Sequence, residues 1–189
     1  MSNRIVIRIA DWLISHGEIN EEDRDLYQYA LKNLLHAILP ISLSLIVGLL
    51  FHCPERTLII ILPFVCLRRF GGGFHLRNAW VCMFFSAILI TDCLAISFLI
   101  RNQEKVLVCA LFAGISMICL SPVQHLNKQL TKEERKRCKR QVSFLVLFFS
   151  LLLALFYSMG LKDETVCLSI GMMLPATLQY PVLIERLVR

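Results

Sequence analysis

A chain of 189 residues that is 57% hydrophobic, with a mean hydropathy of +0.65, carries more apolar surface than one soluble core of that length can bury. Its net charge of +6 comes from 20 Lys and Arg against 14 Asp and Glu, gathered between apolar runs. That pattern excludes an ordinary water-soluble domain and points to a chain that crosses a bilayer repeatedly.

Residues 1–32 predict an amphipathic helix on the membrane surface. Ile5, Ile9, Trp12 and Leu13 recur at helical spacing, with Arg4, Arg8 and Asp11 elsewhere on the wheel. A helix packed against the rest of the chain fits the same pattern. Charges interrupt every apolar stretch here, so a cleaved signal peptide is not expected.

Six apolar stretches follow, at residues 33–51, 57–67, 79–100, 105–120, 142–161 and 166–184. The expected fold class is an all-α polytopic integral membrane protein, a single domain over residues 1–189 with about six transmembrane helices between 33 and 184. One of them is short, because residues 57–67 would rise only about 17 Å as a helix against a hydrocarbon core of about 30 Å. With both termini in the cytoplasm, most of the 20 Lys and Arg residues fall inside, in the N-terminal region and in connections 68–78 and 121–141. The expected location is therefore the cell membrane, multi-pass, with membrane lipids as partners. Nucleic acid is not an expected partner, since a basic connection this small has no recognised binding fold.

Chemistry concentrates in the second connection, Arg68-Arg69-Phe70-Gly71-Gly72-Gly73-Phe74-His75-Leu76-Arg77-Asn78. Three successive glycines free the backbone for positive φ and expose bare N–H groups that could cradle an oxyanion; a plain interhelical hinge would use them equally well. Asn78 is a good N-cap, which places Cys82 near the positive end of a helix with Arg68, Arg69 and Arg77 close in sequence. His75 could serve as its base. On one continuous helix the two would lie about 10.5 Å apart, so a dyad requires the helix to begin after His75. A buried apolar Cys82 with an interfacial His75 is the alternative. The other cysteines show no CxxC pair and sit mostly in apolar runs, so no disulfide framework is expected. His16, His36, His52 and His125 are scattered without ligand spacing, and no metal or cofactor is expected.

The run from Arg68 to His75, followed by Cys82, resembles the signature of the accessory gene regulator B (AgrB) family, membrane cysteine endopeptidases of Gram-positive quorum sensing. Ser121-Pro122-Val123-Gln124-His125-Leu126-Asn127-Lys128-Gln129-Leu130 resembles that family's second block, usually Ala-Pro-Val-Asp, two variable residues, then Asn-Lys-Pro-Leu. Gln124 and Gln129 depart from it, standing where Asp and Pro are common. The resemblance implies that Cys82, assisted by His75, attacks a carbonyl of an AgrD-like propeptide at the cytoplasmic side and releases its C-terminal tail. The resulting thioester would pass to a Cys or Ser of the propeptide, closing a thiolactone or lactone. Arg68, Arg69, Gly71, Gly72, Gly73, Asn127 and Lys128 are then candidates for oxyanion or substrate positioning. Association as a homodimer is a further implication.

Lys132, Arg135, Lys136 and Arg137 read first as topology determinants and anionic-lipid contacts; the resemblance offers the alternative that they dock an acidic C-terminal part of the propeptide. Asp92, midway along its apolar stretch, is expected to face the bundle interior and bond between helices, and Gln179 is expected to do the same. A small transporter without covalent chemistry is the competing function, using Asp92, Gln179 and the glycine break.

Overall fold

The computed structural model describes residues 2–72, 79–123 and 131–188. Among them the chain is helical without a strand; a single isolated bridge joins Gly72 to Val123. It divides into two compact units, Met1–Leu43 and Ser44–Arg189.

The first unit holds α1 (Ser2–Ser15), a 3-10 turn at Glu21–Asp23 and the part of α2 (Arg24–Leu50) that runs through Leu43. Val6 and Ala10, one helical turn apart, are buried, while Arg8, Asp11 and Trp12 are exposed, so α1 is two-faced as its spacing predicts. An Asp11–Arg24 ion pair ties α1 to the first residue of α2.

The second unit contains the end of α2, then α3 (Pro54–Gly71), α4 (Ala79–Leu99), α5 (Gln103–Leu120), α6 (Lys132–Ser158), α7 (Lys162–Thr177) and α8 (Tyr180–Val188). At its centre lies α7, buried over nearly its whole length and packed against α3, α4, α5 and α6. Small residues allow this close approach. A Cβ on Gly171 would strike the Ile60 carbonyl and Pro63, and one on Gly114 would lie 2.9 Å from Val146 Cγ1. The buried hydroxyls of Thr165 and Ser169 donate to Leu161 O (2.6 Å) and Thr165 O (2.7 Å) of the preceding turn, so α7 brings polar atoms inside without leaving them unbonded. Leu67, Met117, Val142, Phe149, Leu168 and Met172 form the apolar core around it.

The outward faces are apolar too. Phe84 and Ile88 on α4, Phe112 and Ile115 on α5, and Phe144, Leu147 and Leu151 on α6 are all exposed. Water would penalise such a surface, whereas acyl chains accept it. Among the described residues three stretches are long and apolar enough to cross a membrane, Gln103–Leu120, Lys132–Ser158 and Lys162–Ile184, and Ile41–Leu50 and Phe84–Leu99 are shorter apolar helices. The chain is a helical, membrane-associated protein.

Three expectations need correction. Arg68, Arg69 and Gly71, expected in a connection, form the last turn of α3, whose 18 residues rise about 27 Å, so this helix is not short. Nothing before Gly72 breaks it: Pro63 is accommodated within it, and two arginines favour the negative end of the helix dipole. Residues 132–141, also expected in a connection, are helical, because Thr131 and Glu134 close a capping box that starts α6 there. Glu134 N–H donates to Thr131 Oγ1 (3.2 Å) and Thr131 N–H to Glu134 Oε2 (2.9 Å). Finally, Asp92 is exposed rather than interior, since α4 buries the stripe of Ile90, Cys93, Leu94 and Ser97 and Asp92 lies off it.

Candidate functional site

The end of α3 is organised around Gly71 and Gly72. The guanidinium of Arg68 stands 5.4 Å from the Phe64 ring one turn back, and that of Arg69 stands 5.7 Å from the ring of Phe70. Gly72, at φ 73°, caps the helix by donating its N–H to Arg68 O (3.2 Å). A side chain there would be doubly penalised, by the left-handed backbone and by collision with the Val123 carbonyl.

Helix termination leaves the Gly71 carbonyl without an intrahelical donor, and two distant residues supply one each. Val123 donates its backbone N–H at 3.0 Å and Gln179 its Nε2 at 2.9 Å. Gln179 Nε2 also donates to Ser121 Oγ at 2.9 Å. Ser121 and Val123 are buried, Ser121 is joined to Pro122 by a cis peptide, and Gln179 is 0% exposed. A Cβ on Gly71 would stand 2.8 Å from Met117 Cε and 3.0 Å from Gln179 Nε2, so a side chain there would displace both. Just beyond it, Ser116 Oγ and Tyr180 Oη lie 3.0 Å apart and join α5 to α8.

The described part of the first block, Arg68-Arg69-Phe70-Gly71-Gly72, is therefore in direct backbone contact with Ser121-Pro122-Val123 of the second. Gly73, His75, Asn78, Asn127 and Lys128 lie outside the described residues. Cys82 belongs to α4, and its side chain lies outside the described set as well. Lys132, Arg135, Lys136 and Arg137 are on the first turns of α6, all exposed. Among the described residues no group of three or more His, Cys, Asp and Glu could hold a metal ion. Gln179 bonds between elements as its position in an apolar run suggests, but its place at the meeting of the two blocks carried no signal in the sequence. A lone amide in a hydrophobic stretch says that a partner exists, not which one.

A family model described as Accessory gene regulator B matches residues 6–180, a span that contains both blocks and Gln179. The chain belongs to the accessory gene regulator B family. It is 29% identical over 168 residues to an AgrB-like protein 2 of Clostridium perfringens strain 13, covering 80% of this chain and 77% of the relative. An AgrB-like protein of Clostridium perfringens strain SM101 is 26% identical over 169 residues, with the same coverage. No solved structure matches the chain. The glycine junction thus joins the two segments through which the chain resembles the AgrB family.

Proposed function

We propose that this AgrB-family protein is a membrane-embedded cysteine endopeptidase that removes the C-terminal tail of an AgrD-like propeptide and promotes its cyclisation. The observation that carries this reading is the junction at Gly71. The chain leaving Gly72 runs directly into the segment bearing His75 and then into α4 with Cys82, while the chain leaving Val123 runs into the segment bearing Asn127 and Lys128. Residues with nucleophilic, basic and hydrogen-bonding chemistry therefore issue from one buried anchor. Family membership supports a role in processing the accessory gene regulator autoinducer.

In this mechanism His75 takes the Cys82 proton, and the thiolate attacks the scissile carbonyl of the propeptide. The Gly72 N–H is engaged by Arg68 O and is not free for an oxyanion, so Gly73, Asn127 and Lys128 remain the candidates to receive the negative charge that develops on oxygen. The C–N bond then breaks, the tail leaves as an amine that takes up the proton from His75, and the remaining peptide is held on Cys82 as a thioester. A thioester retains the acyl-transfer potential that an amide lacks, so a thiol or hydroxyl of the same peptide can displace Cys82 and close the ring. Burying the site at the membrane edge excludes the water that would otherwise hydrolyse it. The basic first turns of α6 hold an acidic segment of the propeptide. Six crossings, made by α2, α3, α4, α5, α6 and the α7–α8 stretch, put both termini and this site on the cytoplasmic side, with the whole chain as one domain.

The test is cleavage of a co-expressed AgrD-like propeptide by protein shown to be inserted. Cys82→Ala and His75→Ala are each expected to abolish cleavage, while Ala at Cys53, Cys66, Cys93, Cys109, Cys119, Cys138 or Cys167 leaves it largely intact. A thioester should be trapped at Cys82 of the unsubstituted protein. A stable, inserted Cys82→Ala protein that still cuts the propeptide would sink the proposal.

A further inference from the structure

Burying an amide side chain is costly unless its hydrogen bonds are met, and a purely apolar residue would fill the position of Gln179 more cheaply. The structure spends the Gln179 amide on one acceptor from each block, the Gly71 carbonyl and Ser121 Oγ. Its orientation is forced. The Gly71 carbonyl can only accept, so Nε2 and not Oε1 must face it. That turns Oε1 into a buried position where it has no hydrogen-bond partner among the described residues. A side chain selected for packing alone has no need to bond two acceptors that lie 108 and 58 residues away in the chain.

Position adds to this. Gln179 stands in the turn between α7, the central helix of the second unit, and α8, so it transmits the most buried element of that unit to the exit points of both blocks. A Cβ on Gly71 would meet Met117 Cε, Gln179 Nε2 and Ser121 Oγ within 3.3 Å, so these three side chains converge on the end of α3.

We propose that Gln179 is a positioning residue for the reaction, a clamp whose amide fixes the end of α3 against residues 121–123 and thereby sets the approach of the segments that carry the chemistry. This inference rests on the peptidase reading. The clamp itself is readable without any cleavage, because the Val123 amide it helps to seat is a hydrogen donor to Gly71 O.

The experiment uses the full chain in lipid nanodiscs with Gln179→Met, which keeps length and bulk but has no amide, and Gln179→Glu, which when ionised presents acceptors to the Gly71 carbonyl. For Gln179→Met the expected results are thermal unfolding close to that of the unsubstituted protein and faster hydrogen exchange at the Val123 amide. Its kcat on an AgrD-like propeptide should be about tenfold lower, the scale of one or two lost hydrogen bonds, with KM within about twofold. Gln179→Glu should fall further in kcat. Wild-type kcat in a folded Gln179→Met protein, or a loss that merely tracks the amount of folded protein, would overturn the proposal and leave Gln179 a packing residue. If the unsubstituted protein cuts no propeptide while Gln179→Met still releases the Val123 amide, the clamp is upheld and the peptidase reading is the part that has failed.

Discussion

At the junction of α3 with residues 121–123 every polar contact is buried and direct, a glycine carbonyl taking one donor from a backbone and one from a side chain. At the start of α6, Lys132, Arg135, Lys136, Arg137, Lys139 and Arg140 stand exposed on a helix held by its own capping box. The first region is fixed by complementarity in a space too tight for one methyl group. The second is fixed by local helix chemistry and leaves its charges free to act at a distance. One substitution should therefore be enough to disable the first region, and several, read against ionic strength, should be needed to affect the second.

The largest effect is expected at Gly72. Gly72→Ala must hold an L-residue at φ 73° and place a Cβ against the Val123 carbonyl, so the turn must open. Strain of this kind costs about 1–3 kcal/mol before the collision is counted. Propeptide cleavage should fall to background, with faster hydrogen exchange at the Val123 amide in protein that remains inserted. A Gly72→Ala protein with native exchange at Val123 would show that the bridge is not a constraint.

Next comes the simultaneous replacement of Lys132, Arg135, Lys136 and Arg137 by Gln. Cleavage should drop several-fold at low salt, and the gap from the unsubstituted protein should close as salt rises. The Debye length shortens from about 30 Å at 0.01 M to about 8 Å at 0.15 M, so the unsubstituted protein loses the same attraction that the variant lacks. Lys139 and Arg140 remain as positive charges at the start of α6, and insertion should be unchanged. A gap that is constant across the salt series would mean that these side chains do not steer an acidic substrate.

The same contrast explains what could be read from the sequence. Apolar runs locate α4 and α5 within a few residues, because hydropathy is a property of a segment alone, whereas the run 166–184 spans α7 and part of α8 without marking the turn between them. Charge does not mark the end of α3 or the start of α6: Arg68, Arg69 and the basic run read as connections, whereas a helix dipole and a capping box make them helical. The motifs at Gly71 and Ser121 were visible as two separate strings, but their contact is a long-range event encoded in shape. Gln179 could be identified as a buried donor and not as the link between them. The place of Asp92 is hidden for a related reason: periodicity gives α4 a packed face, and the charge alone does not say that Asp92 lies off it.

The smallest effect is expected at Thr131, and it sharpens the account of the basic region. Thr131 Oγ1 accepts from Glu134 N–H, Glu134 reaches back to Thr131 N–H, and Arg135 N–H bonds Thr131 O at 2.9 Å, so the first turn of α6 depends on this residue. Thr131→Ala removes the side-chain half of the box, a loss of about 1 kcal/mol in a helix that must nucleate in water. Here the helix is anchored further along by Val142, Val146, Phe149 and Leu153, all buried against the core, so the loss can only fray the first turn. Hydrogen exchange should quicken at Glu134 and Arg135 and nowhere beyond the basic run, with global unfolding unchanged. Cleavage should stay within about twofold of the unsubstituted protein, because a frayed turn still carries its charges and exposed charges act through several ångströms of water. If Thr131→Ala instead lowers cleavage as far as the fourfold Gln replacement does, the cations work only when presented on an ordered helix. The start of α6 would then be a shaped docking surface, built on the same principle as the junction at Gly71.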